Sequence, residues 1–142
     1  MPNRIARAVK PERRCSSSIE TRQMLTRVQA EQFADEWIAA WNSHDLARVL
    51  AHYAEDFELS SPFIVSIAGE SSGRLRGKHA IAAYWSQALA RIPDLEFTLI
   101  TVFRGVRSIV LQYRMQDGRG AAEWLEFGDD GKVTRSAAQY SD

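Results

Sequence analysis

A chain of 142 residues with 45% apolar content can bury one core and needs no second domain. Eighteen Lys and Arg balance eighteen Asp and Glu, so the overall charge gives no reason to expect nucleic acid or an anionic membrane as a partner. The single cysteine, Cys15, excludes an internal disulfide framework and a thiolate metal cluster, fits a cytoplasmic setting, and accompanies a sequence with no apolar run approaching a membrane span.

Charge is unevenly spread. Residues 1–22 hold six basic and two acidic side chains, leaving 12 basic against 16 acidic in the remainder. This Arg- and Ser-rich head reads as a poorly ordered polar tail, with a transit peptide or a natural start at Met24 as alternatives. A domain is expected over 26–142. In "TRVQAEQFADEWIAAWN", Thr26 and Gln29 form a capping-box pattern, and Phe33, Trp37 and Trp41 follow at steps of four on an apolar helix face. "NSHD" breaks that helix. Asp45 then caps a second in which Leu46, Val49, Leu50 and Tyr53 share a face. "DFELSSPF" is a short strand stopped by Ser60, Ser61 and Pro62, and residues 66–77 read as a Gly- and Ser-rich loop with room for a hairpin edge.

The stretch "KHAIAAYWSQALARI" puts Ile81, Trp85, Ala88 and Ile92 on one stripe of a third helix, which Pro93 ends. The period then changes to two. Phe97, Leu99, Thr101 and Phe103 alternate with Thr98, Ile100 and Val102, and Ile109, Leu111, Tyr113 and Met115 alternate with Val110 and Gln112. "QDGRG" and "GDDG" are hairpin turns by composition, and "AAEWLEF" is a strand with a carboxylate beside large apolar groups on either face. Three helices with a strand among them, followed by a meander of about four strands, make an α+β plan.

Three stretches together, "WIAAWNSHDLARVLAHYAEDFELSSP", "GRLRGKHAIAAYW" and "LEFGDDGKVTRSAAQY", resemble the SnoaL-like branch of the nuclear transport factor 2-like superfamily. The resemblance covers Thr26 to Tyr140. It implies a cone: a curved antiparallel sheet wrapped around three helices, with an internal apolar pocket and dimerisation through the outer sheet face. Activities on that scaffold include ketosteroid isomerisation, polyketide cyclisation, epoxide hydrolysis and dehydration, and other members only bind partners, so the fold does not fix the reaction.

By the same resemblance, Glu123 matches an acid that donates a hydrogen bond in ketosteroid isomerase-like members, which puts Glu123, Leu125 and Phe127 on the concave side and Trp124 outside. The family's donor tyrosine matches Trp37, which offers an N–H but no phenol. Its general-base aspartate matches Ser61, just before Pro62, so ketosteroid isomerase is rejected as the specific activity. No epoxide hydrolase relay of aspartate and arginine is recognisable. Tyr140 matches a pocket-lining position.

Glu123 is the catalytic candidate. Buried among apolar groups, a carboxyl is pushed towards its neutral form and becomes a donor or base near neutral pH; the alternative is a structural salt bridge with an arginine such as Arg114. Trp37, Tyr53, Ser61, Leu125 and Tyr140 are the substrate-binding candidates. His44, His52 and His79 lack a metal-ligand spacing, His52 reading as a surface histidine that could reach the pocket mouth. No metal or other cofactor is expected. The function expected is acid–base chemistry on a small apolar or aromatic molecule, of isomerase, cyclase, dehydratase or hydrolase type; the alternative is a ligand-binding or interaction module that does no chemistry. Parity puts Trp124, Val110, Ile100 and Val102 on the outer sheet face, which predicts a homodimer there.

Overall fold

The structure is a computed structural model that describes residues 24–141. The expected tail over 1–22, with Cys15, lies outside the described residues. Helix α1 spans Arg27–Ser43 and begins as its sequence specifies: Thr26 Oγ1 accepts from the Gln29 backbone N–H and Gln29 Oε1 accepts from the Thr26 N–H. This reciprocal cap satisfies two N–H groups that the first turn leaves open. Asp45 caps the short α2, Leu46–Leu50, accepting from the N–H groups of Ala47 and Arg48. Tyr53 does not continue α2. It opens strand β1, Tyr53–Ser60, because the chain turns at Ala51 and His52 and the apolar spacing passes from helix to strand.

Past Pro62 the chain makes one π-helical turn, Ile64–Ala68, and then the edge strand β2, Arg74–Arg76, where the sequence suggested only a loop with a hairpin edge. Helix α3, Lys78–Arg91, is followed by β3 (Thr98–Arg104), β4 (Ser108–Arg114), β5 (Gly120–Phe127) and β6 (Val133–Tyr140). The curved, unclosed sheet has the order β2-β1-β6-β5-β4-β3. It is antiparallel except where β1 lies parallel to β6, a junction that the local sequence pattern did not reveal. Helix α1 lies against β3, and α3 against β1 and the π-helical turn. Among the described residues no helix is long and apolar enough to cross a membrane.

One register detail corrects the expected outer face. The β3–β4 pairing shifts between Leu99 and Thr101, so Ile100 occupies a bulge and every later residue of β3 changes side. Val102 stands opposite the buried Leu111 and packs against the core, while Phe103 stands opposite Val110 and is 57% exposed. A strict two-residue period cannot report an inserted residue.

Two polar contacts fix the end of α1 to the approach of β3. The Asn42 side chain donates to the Phe97 carbonyl (2.9 Å) and accepts from the Phe97 N–H (2.7 Å), while His44, in the left-handed region at φ 62°, reaches the Leu95 carbonyl through Nε2 at 2.9 Å. Phe97 has its backbone groups held this way just before β3 begins. Replacing Asn42 by Ala removes both bonds at once and should lower stability by about 1–3 kcal/mol. Chemical denaturation of Asn42→Ala measures this, and an unchanged midpoint would show that the clamp contributes nothing.

Candidate active site

Strand β5 settles which side faces inward. Ala121, Glu123, Leu125 and Phe127 are buried, and Ala122, Trp124 and Glu126 are partly exposed, the alternation of a strand with one face on a core. Glu123 is thus carried inward by its apolar neighbours, not by a charged partner. Its cross-strand neighbours are Leu111 on β4 and Ala138 on β6, and it is only 5% exposed. The carboxyl accepts from Ser136 Oγ at 2.7 Å and more weakly from the Tyr113 hydroxyl at 3.4 Å. Arg114, the expected structural partner, instead donates to the Gly118 carbonyl on the exposed side. Burial raises the Glu123 pKa from an ordinary 4.5 to about 7, against a partial lowering by the Ser136 and Tyr113 hydrogen bonds.

The carboxyl opens into an apolar recess between the helices and the sheet. Trp37 and Trp41 of α1, Tyr84 and Trp85 of α3, Ser61 and Phe63 beyond β1, Phe97, Tyr113, Ala138 and Tyr140 contribute to its wall. Among the described residues Glu123 is the one carboxylate in that wall. Water-sized occupants find about 50 Å³ of space, room for very few molecules. Phe63 and Tyr140, both half-buried, pack with centroids 4.5 Å apart and ring planes tilted by 37°, and the Arg119 guanidinium lies 6.0 Å from the Phe63 ring. With Ala88 and Ile92 they are the half-buried members of the wall.

Other hydroxyls gather around the carboxyl. Burial raises the pKa values of Tyr84, Tyr113 and Tyr140, with the Glu123 charge adding to the rise in each, and the nearby Ser61 side chain offsets part of it for Tyr84 and Tyr140. These phenols therefore stay protonated and able to donate at neutral pH. Ser61 is itself buried, and its Oγ accepts from the Phe63 N–H at 3.2 Å.

Of the residues expected to bind substrate, Trp37, Ser61 and Tyr140 line the recess with Glu123. Tyr53 and Leu125 do not. Tyr53 lies behind the wall and accepts the Trp37 indole N–H at 2.9 Å, and fully buried Leu125 belongs to the core beside it. Sequence reasoning passed over Tyr84, Tyr113 and Ser136 as chemical groups. Tyr113 was recoverable, because it shares parity with Ile109 and Leu111; Ser136 sits opposite Leu125 and reaches Glu123 only diagonally, which no local pattern reports.

Trp41 differs from Trp37. Among the described residues its Nε1–H is the one buried side-chain polar atom without a hydrogen-bond partner, a deficit that costs about 1–3 kcal/mol. His52 is directed elsewhere: with Arg48 it contacts Glu36, which the Arg48 hydrogen bond, chief among several effects, holds at a pKa of about 2. His44 serves the corner after α1, and His79 is exposed in the first turn of α3.

A family model for the SnoaL-like domain matches residues 34–136. Among solved structures, the chain is similar to a SnoaL-like protein of unknown function from Burkholderia thailandensis, at 51% identity and a TM-score of 0.80, over 84% of this chain and 99% of that one. It shares its fold with a SnoaL-like family protein from Agrobacterium tumefaciens described as a candidate isomerase, at 20% identity and a TM-score of 0.66, over 81% and 99% of the two chains. The same holds for a protein of unknown function with a cystatin-like fold from Methylobium petroleophilum, at 20% identity and a TM-score of 0.65, over 84% and 80%. No curated protein matches the chain.

The Glu123 environment fixes a sign for the pH dependence of stability. Its folded pKa lies above the unfolded value, so the favourable contribution is full below about 4.5 and is lost as pH rises through that value to about 7 and beyond. The whole effect amounts to about 3 kcal/mol. Glu123→Gln, uncharged and similar in shape, should match wild type in acid and equal or exceed it above neutrality in thermal melts. A clear loss of stability on substitution at neutral pH would mark Glu123 as an ionised structural partner.

Proposed function

The chain belongs to the SnoaL-like domain family, and we propose that it acts on a small apolar or aromatic molecule by acid–base chemistry in the recess, with Glu123 as the acid or base. The observation that carries this reading is a buried carboxyl, without an arginine partner among the described residues and with a pKa of about 7, in an apolar wall. At that pKa both protonation states are populated near neutral pH. The neutral form donates to an oxygen on which charge develops, and the ionised form accepts a proton from an acidic carbon or hydroxyl. Tyr84, Tyr113 and Tyr140 supply further donors around the same oxygen. Ser61 offers no carboxylate where related isomerases carry their base, so both halves of a proton transfer fall to Glu123. An isomerase, cyclase, dehydratase or hydrolase reaction uses such a group, and a cytoplasmic location is part of the proposal.

The test needs no natural substrate. Cyclic ketones incubated in heavy water with the protein should exchange the protons on carbons next to the carbonyl, followed by proton NMR, and Glu123→Gln should slow this by roughly a hundredfold or more. Ketones that bind without exchange in the wild type would favour the module that only binds. Exchange equally fast in Glu123→Gln would remove Glu123 from the chemistry.

A second copy of the chain is the proposed partner. Phe103, Val110, Trp124 and Ala137 stand opposite one another on successive strands, an apolar row across the outer sheet face, with the Arg135 guanidinium 5.6 Å from the Trp124 ring. A two-fold axis through such a row brings like residues together, and Trp and Arg are the side chains that anchor such contacts. Sedimentation should give a dimer at micromolar concentration and a monomer for Trp124→Glu. A wild-type monomer would refute it.

A further inference from the structure

The two tryptophans of α1 that face the recess are built alike and finished differently. Trp37 spends its indole N–H on Tyr53, whereas the Nε1–H of Trp41, one helical turn later, has no partner among the described residues although it is fully buried. Its ring is held by Trp85 (4.9 Å, 82°), Trp37 (6.2 Å, 63°) and Phe97 (6.0 Å, 47°), which leaves it little freedom to turn the N–H towards water. Trp41 lines the recess, and its buried donor is matched when a ligand that displaces neighbouring side chains brings an acceptor. Contacts lead from Trp41 through the Trp37 or Phe97 ring to Tyr113 and so to the carboxyl, which leaves aromatic wall between the two polar positions.

We infer that Trp41 is a ligand-binding residue whose Nε1–H receives an acceptor oxygen, and that the molecule the site takes is a flat ring compound with two oxygen functions. One of these, a carbonyl or ether oxygen, meets Trp41. The other, a hydroxyl or carbonyl, lies at the Glu123 end among the tyrosine hydroxyls. Phe63 and Tyr140 yield to admit the ring between the two oxygens, and that ring packs against the apolar wall that includes Trp85, Phe97 and Met115. This assignment rests on the recess being the ligand site, as proposed above, and adds the class of molecule. It also separates the roles: Glu123 touches the reacting end, while Trp41 sets which molecules fit and in which direction.

A matched pair of compounds tests it. Para-hydroxyacetophenone and para-ethylphenol are close in size and share the phenol for the Glu123 end, but only the former carries an oxygen at the far end. Their affinities are measured by NMR titration of isotope-labelled wild type, and the Trp41 indole signal is identified by its absence from Trp41→Phe. The ketone should bind roughly tenfold more tightly than the ethyl compound and move the Trp41 indole proton downfield, and in Trp41→Phe the two should agree within about twofold. Should Trp41→Phe fold poorly, the indole signal is identified in the unaltered protein by its through-space contacts with the Trp85 and Phe97 rings, so the indole readout still stands. Equal affinities with an unmoved indole signal would overturn the role of Trp41 and leave the recess as a ligand site. An indole proton already far upfield, held against the Trp85 ring and unchanged by the ketone, would overturn it as well. If neither compound binds the wild type, this inference falls together with the reading of the recess as a site for small aromatic molecules.

Discussion

A carboxyl kept from water by the alternation of a single strand is the constraint to which the rest of the site responds. Strand β5 has no freedom to turn Glu123 outward without also exposing Ala121, Leu125 and Phe127, since a one-residue slip exchanges the two faces of the whole strand. Apolar burial of three neighbours therefore holds one ionisable group inside. The surroundings then satisfy it with hydroxyls from Ser136 and Tyr113, which bond a neutral or a charged carboxyl, in place of an arginine that would fix it as an anion. A group so placed remains free to gain or lose its proton.

The helices complete the enclosure. Helix α1 lays Trp37 and Trp41 over the concave face, α3 adds Tyr84 and Trp85, and the chain after β1 brings Ser61 and Phe63 to the remaining side. Half of the wall residues are aromatic, packed edge to face as between Trp41 and Trp85 or stacked as between Trp37 and Phe97, which stiffens the interior. The half-buried Phe63 and Tyr140 pair stands where the π-helical turn begins, a backbone geometry that departs from regular helix hydrogen bonding and often accompanies functional sites. The recess is thus nearly filled, with a stiff interior and one less regular side.

Much of this was legible in the chain because it is local. The capping box of Thr26 and Gln29, the Asp45 cap and the Trp37 and Trp41 face each depend on residues a few positions apart, whereas either face of the Glu123 strand carries a carboxylate and only the resemblance chose between them. What escaped reading depends on pairing between distant segments. The bulge at Ile100 reversed the side of Val102 and Phe103, and the α1 to β3 clamp through Asn42 joins residues far apart in sequence. Tyr53 has helical spacing with Leu46 and Leu50 but belongs to β1, where it accepts the Trp37 N–H from behind and does not line the recess. Ser136 became a partner of Glu123 only through the register of β5 and β6. Family likeness located the carboxyl; the tertiary contacts supplied its company.

The central claim is that Glu123 holds its proton to near neutrality because of where the strand puts it. Carbon NMR of the glutamate δ-carbons, with Glu123 identified by its loss in Glu123→Gln, follows that proton directly in the folded protein. The account requires one glutamate signal to titrate with a midpoint of about 7, well above the ordinary 4.5. A Glu123 midpoint at or below 4.5 would mean that the carboxyl is an ordinary anion, and the account would fail.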